Sequence, residues 1–301
     1  MSSSSSLLRG TAVVLVAGSL GWLAAALPWL LEGGRLPISS AWPSVVPDAG
    51  PWVALPAGEH RLSALLVTCG LVGVVPVVVG HLLRRSLWPG VAGALVAATL
   101  SIGDTWRTID SLSGGSRGAE LLVAAHLGLA LLGLLVGLVV AIASCRGPRW
   151  LRTTARGAVA TVLVSWVLDL VVTDPISISG WQTWVIAHQQ HLLAAVLAVV
   201  LAVAGWRPLT TLLGWLGALA VVWVIPAGLT ALTYLGSYAG GWASTSAGQS
   251  ELVDGALDVL RAALDPTNRP VWPLAAALVA GAGGAAVLAL VRSRRAGTAA
   301  L

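Results

Sequence analysis

Four ionisable residues bring metal- or proton-binding chemistry into otherwise apolar sequence: His126, Asp169, His188 and His191. His188 and His191 stand three apart, which puts two imidazoles on nearly one face of a helix. Imidazoles and a carboxylate ligate zinc and other transition metals, and paired histidines ligate haem. Imidazole also exchanges protons near neutral pH. These four are the candidate metal ligands. Gln189, Gln190 and Ser165, which lies one turn before Asp169, are the candidate lining of a shared polar cavity.

The sequence assigns no catalytic residue and no certain cofactor. It holds no G-x-x-x-x-G-K-[ST], G-x-S-x-G or H-E-x-x-H, so it lacks these phosphate-loop, serine-hydrolase and zinc-protease signatures. Nucleotide-driven work would need a separate ATPase chain. The one methionine is Met1, which excludes a Cu(I) thioether site in the interior.

The elements that must position these residues follow from composition. Of 301 residues, 57% are hydrophobic and only 10% charged, and the mean hydropathy is +0.88. Soluble domains carry about 25% charged residues, so a soluble globular enzyme is excluded, and such hydropathy also excludes a disordered chain. The expected fold is all-α, a polytopic membrane bundle. A helix needs about 20 apolar residues to cross a bilayer. Eight stretches meet or approach that length: 11–31, 61–83, 88–103, 119–145, 157–173, 184–206, 209–235 and 271–291. The third and fifth are short and must borrow residues from their flanks. The first is read as an uncleaved anchor, because its apolar run is too long for a signal peptide.

Arginine sets the orientation, since short positive loops stay cytoplasmic. One alternate set of segments holds Arg9, Arg84, Arg85, Arg146, Arg149, Arg152, Arg156, Arg207, Arg292, Arg294 and Arg295, with no acidic residue. The other set holds the remaining 6 arginines and all 12 acidic residues. Both termini are therefore expected in the cytoplasm. The absence of lysine and the abundance of Ala, Gly, Val and Arg suit a GC-rich bacterial genome and its plasma membrane. The basic pI reflects orientation rather than a nucleic-acid partner.

Depth then follows from helix rise. His126 is six residues past Glu120, about 9 Å inside the outer edge, and Asp169 is five before Asp174, about 7 Å inside. Residues 192–206 alone make about 22 Å of helix, too short to cross. The sixth span must begin near Trp184, which places His188 and His191 in the outer third of the membrane.

The loop from Glu32 to His60 carries five prolines and is expected to be an ordered, non-helical cap. Between 250 and 265, Leu252, Ala256, Leu260 and Leu264 recur at helical spacing. This is an amphipathic helix on the outer side, stopped by Pro266, that shields the bundle or acts as a lid. Asp104, Arg107 and Asp110 fall in the third-to-fourth loop, where they are expected to pair. Gly133 and Gly137 form a GxxxG, and Ala277, Gly281 and Ala285 a small-residue row; both are expected to pack within the chain. Pro76 and Pro226 interrupt spans. Cys69 and Cys145 are expected to be free thiols. The chain reads as one transmembrane domain of 1–301, with four-span halves at 11–145 and 157–291.

These features imply a permease, or the membrane subunit of a transport or export system, with an outward-facing polar cavity. An intramembrane metal- or haem-binding enzyme and a non-catalytic assembly partner are the alternatives. The implied partners are the lipid bilayer and a separate ATPase or extracytoplasmic protein.

Overall fold

An apolar run of 20 residues offers its peptide groups no polar side chain and no water, so the backbone must pair with itself. The structure, a computed structural model, describes residues 12, 16, 18–36, 50–82, 88–112, 117–171, 179–242 and 245–298. Those residues form an all-α bundle. Its helices are α1 (Leu27–Leu31), α2 (Leu62–Leu82), α3 (Trp88–Leu112), α4 (Arg117–Arg146), α5 (Arg149–Val171), α6 (Gly180–Ala204), α7 (Thr210–Trp242), α8 (Ser246–Leu264) and α9 (Trp272–Thr298). Residues 18–25 are helical ahead of α1. Six helices are long and apolar enough to cross a membrane: α2, α4, α5, α6, α7 and α9. Of the other two expected spans, the first lies partly outside the described residues, and the third is α3.

Both short spans are longer than their apolar runs. α5 starts at Arg149 and takes Arg152 and Arg156 into its first turns. α3 runs on to Leu112, so Asp104, Arg107 and Asp110 lie on a helix and not in a loop. No ion pair among the described residues joins them. The helix continues because its buried face does: Ser101, Thr105 and Ile109 are all buried at helical spacing. Thr105 Oγ1 accepts the N–H of Leu55, 3.0 Å away.

Glycine sets the closest helix contacts. A Cβ on Gly133 would stand 2.8 Å from the Leu66 carbonyl, and one on Gly137 would collide with that of Gly70. The GxxxG of α4 is thus consumed against α2. In α9, Gly281 meets Leu201 and Gly284 meets Ala202 of α6, so the small-residue row is also an internal contact. In α5, Gly157 lies against Ala218 of α7. Such approach is what holds helices together where lipid removes the hydrophobic drive. Both cysteines are free thiols.

The described part of the first long loop is a plug. Arg35 and Trp52 form an antiparallel bridge, and Val53, Leu55 and Ala57 are almost completely buried. A buried loop must have its peptide groups satisfied. Here Val53 N–H donates to Gly34 O, Trp29 Nε1 donates to Val53 O, and Gly58 N–H donates to His126 Nε2 at 3.0 Å. Residues 37–49, with three of the five prolines, lie outside the described residues.

Candidate functional site

Helices α5, α6 and α7 and the C-terminal turn of α8 enclose a cavity of about 310 Å³. Ser165, Gln189 and Gln190 line it together with Thr161, Thr230, Asn268 and Arg269, while His126, Asp169, His188 and His191 do not. The hydroxyls are spent as donors. Thr161, Ser165 and Thr230 each donate to the carbonyl four residues back, at Gly157, Thr161 and Pro226, so they offer only lone pairs to the cavity. Neither glutamine carboxamide has a hydrogen-bond partner among the described residues, so both are available to a ligand.

Arg269 is the cation of this site, and Pro226 explains its position. Proline has no N–H, so the carbonyl of Val222 loses its helical partner in α7. Arg269 reaches that carbonyl with Nη2 at 3.3 Å and the Trp223 carbonyl with Nη1 at 2.7 Å. Its guanidinium also lies 4.6 Å from the Trp223 ring centroid, a cation–π contact. No carboxylate among the described residues pairs with it. Burial pulls its pKa below the ordinary arginine value; the group nevertheless stays charged.

The segment that delivers Arg269 is well fixed. α8 ends at Leu264, just before Pro266. Three of its last carbonyls are taken: Arg261 O accepts from Asp265 N–H, Ala262 O from Asn268 Nδ2 and Leu264 O from Trp223 Nε1. Asp265 accepts from both Thr267 N–H and Oγ1 at 2.8 Å, which holds its carboxyl below the usual aspartate range. Leu252 and Ala256 are buried, and Gly255 rests against Tyr234 of α7. Val253 and Leu257 on the other side are exposed.

The four candidate metal ligands occupy three places. His126 is turned into the first half of the bundle. Its Nδ1 donates to Leu122 O at 2.7 Å while Nε2 accepts from Gly58, so both nitrogens are engaged and the ring is the neutral Nδ1–H tautomer. Asp169 is exposed on α5, does not line the cavity, and feels the charges of Arg61 and Glu32. His188 and His191 are together, with ring centroids 5.3 Å apart. They continue a ladder: Trp184 stacks on His188 at 4.2 Å, and His191 meets Trp272 of α9 at 4.8 Å. His188 Nδ1 donates to Trp184 O. Among the described residues no three His, Cys, Asp or Glu side chains gather closely enough to hold a metal ion.

Sequence spacing did not bring out a second polar group just ahead of α2 and beside α7. Arg61 and Glu32 form a two-pronged ion pair, 2.6 and 3.1 Å. Burial raises the Glu32 pKa more than Arg61 lowers it. Nearby, Thr233 Oγ1 donates to Leu229 O at 2.9 Å and lies 3.0 Å from Ser63 Oγ, and His60 Nδ1 lies 3.0 Å from Ser237 Oγ. Ser237 already donates to Thr233 O, so His60 must donate to it, and the pair is not an activated nucleophile. No protein-family model, curated protein or solved structure matches this chain.

Proposed function

We propose that this chain is a permease, or the membrane subunit of a transport or export system, and that the cavity around Gln189, Gln190 and Ser165 lies on its path. The reading joins eight spans, both termini in the cytoplasm, a plasma-membrane location and four-span halves at 11–145 and 157–291. The arginine asymmetry of the sequence supports the orientation. The observation that carries the function is a polar cavity of about 310 Å³ among apolar helices, bounded by the proline-interrupted α7. Polar groups at membrane depth are costly and mark solute paths, and interrupted helices flank such sites in transporters.

A stopped-flow shrink–swell assay on proteoliposomes tests this with a broad panel of small polar solutes. After an osmotic jump, a permeant solute re-swells vesicles containing the protein faster than empty ones. Ser165→Phe, which narrows the cavity, should slow the rate toward that of empty vesicles. Equal rates with and without protein across the whole panel would refute the reading. For orientation, a single cysteine at Arg149 in a cysteine-free background should resist impermeant maleimide in intact cells; labelling would invert the map.

The second reading, a metal or haem site, has His188 and His191 as its supporting observation. Metal and haem analysis of the purified chain decides it, and loss of a bound metal or haem in the double His→Ala variant is the expected outcome.

A further inference from the structure

We propose that the cavity binds a small hydroxy acid, its carboxylate on Arg269 and its hydroxyl on the lone pairs of Ser165 and Thr230; this deepens the permease reading and rests on it for the solute's route. Arg269 has five N–H donors. Two go to the carbonyls of Trp223 and Val222, which leaves three for a ligand. A half-buried guanidinium with no carboxylate partner is costly unless an anion can reach it, and its cavity holds about 310 Å³, within the usual range of small-molecule sites. A carboxylate matches the guanidinium fork, and the free carboxamides of Gln189 and Gln190 supply further donors.

The rest of the wall narrows the class. Ser165 and Thr230 have already given their protons to main-chain carbonyls. While those bonds are kept the two hydroxyls act as acceptors, so a ligand that donates at that end suits them. No acidic side chain among the described residues lines the cavity, so none of them offsets an ammonium group next to Arg269. A hydroxyl satisfies both conditions, which favours a hydroxy acid over an amino acid.

The test uses the full chain in phosphatidylcholine nanodiscs and follows phenylglyoxal modification of Arg269 by mass spectrometry. Arg261, exposed and paired with Asp258, is the internal reference. Glycolate should slow modification of Arg269 in a saturable way and leave Arg261 unchanged. Acetate and glycine should need about tenfold higher concentrations, the effect of one lost hydrogen bond to a charged ligand, and ethylene glycol should do nothing. The double variant Gln189→Leu, Gln190→Leu loses no internal partner, so it should fold and shift glycolate half-protection by about tenfold or more. Absence of protection by glycolate, equal protection of Arg261, stronger protection by glycine, or protection only in phosphatidylglycerol discs would overturn the proposal; the last would make a lipid headgroup the occupant. Protection without protein-dependent glycolate flux keeps this site and removes the permease reading. Flux without protection, unchanged in the double variant, does the reverse.

Discussion

Replacing His126 with leucine isolates the work of one hydrogen bond in holding the buried loop. Leucine fills roughly the volume of the imidazole, so little cavity is created. The Leu122 carbonyl keeps its helical N–H partner, so only one group is orphaned: the Gly58 N–H, which donated to Nε2 over 3.0 Å. Gly58 has φ of +124°, a conformation that side-chain-bearing residues rarely adopt, and that bond helps to hold it there. An unsatisfied buried donor costs about 1–3 kcal/mol, which raises the equilibrium for opening the loop by about 5–150-fold. Cys69 reads this out, because it shares one buried cluster with Leu55 of the loop. In a Cys145→Ser background, maleimide should label Cys69 faster in His126→Leu by that factor, provided closing outruns labelling. His126→Gln, which restores an acceptor, should fall between wild type and leucine. An unchanged Cys69 rate in His126→Leu would refute the reasoning.

Gly137→Val puts branched carbon against the Gly70 carbonyl; the overpacking should cost about 1–3 kcal/mol, seen as a lower midpoint of thermal unfolding in detergent. Light scattering should find the oligomeric state unchanged, because the GxxxG is already buried inside the chain. The folded chain holds the Glu32 proton more tightly than the unfolded chain does; this contribution is full below the ordinary glutamate value of about 4.3 and is lost as pH rises through the raised value. Unfolding midpoints measured across that range should show this fall in wild type, and Glu32→Gln should remove that component. Pro226→Ala returns an N–H to the Val222 carbonyl, which then shares its lone pairs between that N–H and Arg269, so phenylglyoxal should modify Arg269 faster even though α7 itself is no less stable.

Length and hydropathy made the spans legible, and the rise per residue placed the start of α6 near Trp184; the structure begins it four residues earlier, at Gly180. Hydropathy failed at α3, because Asp104, Arg107 and Asp110 ended the apolar run while the buried face continued. The signal was present in the spacing of Ser101, Thr105 and Ile109, which is helical although two of the three are polar. Gln189, Gln190 and Ser165 could be read because each lies in an otherwise apolar run. His126 could not be separated from the histidine pair, because its partner Gly58 is 68 residues away. Arg269 was hidden for the same reason, 47 residues from Val222. The one hint was its place among the few arginines on the acid-bearing side, against the cytoplasmic preference of that residue.

The two proline breaks show why the charge of Arg269 points to a ligand. Ahead of α1, the helix is interrupted at Ala26 with Pro28 following, and the neighbouring Ala25 carbonyl is taken by the indole N–H of Trp166 at 3.0 Å. That donor is neutral, needs no counter-ion and gives up its single proton; it caps the carbonyl next to that of Ala24, the one Pro28 deprives of a helical N–H. At Pro226 the freed carbonyl itself is taken by a guanidinium, whose desolvation is costly and which lines a cavity. Satisfying one freed carbonyl does not require that cost, because an indole or an amide would do it. The surplus of charge and donors at the second break is therefore not explained by helix repair alone. It is explained if an anion occupies the cavity for part of the working cycle and leaves again, since a permanent carboxylate partner within the chain would block the site.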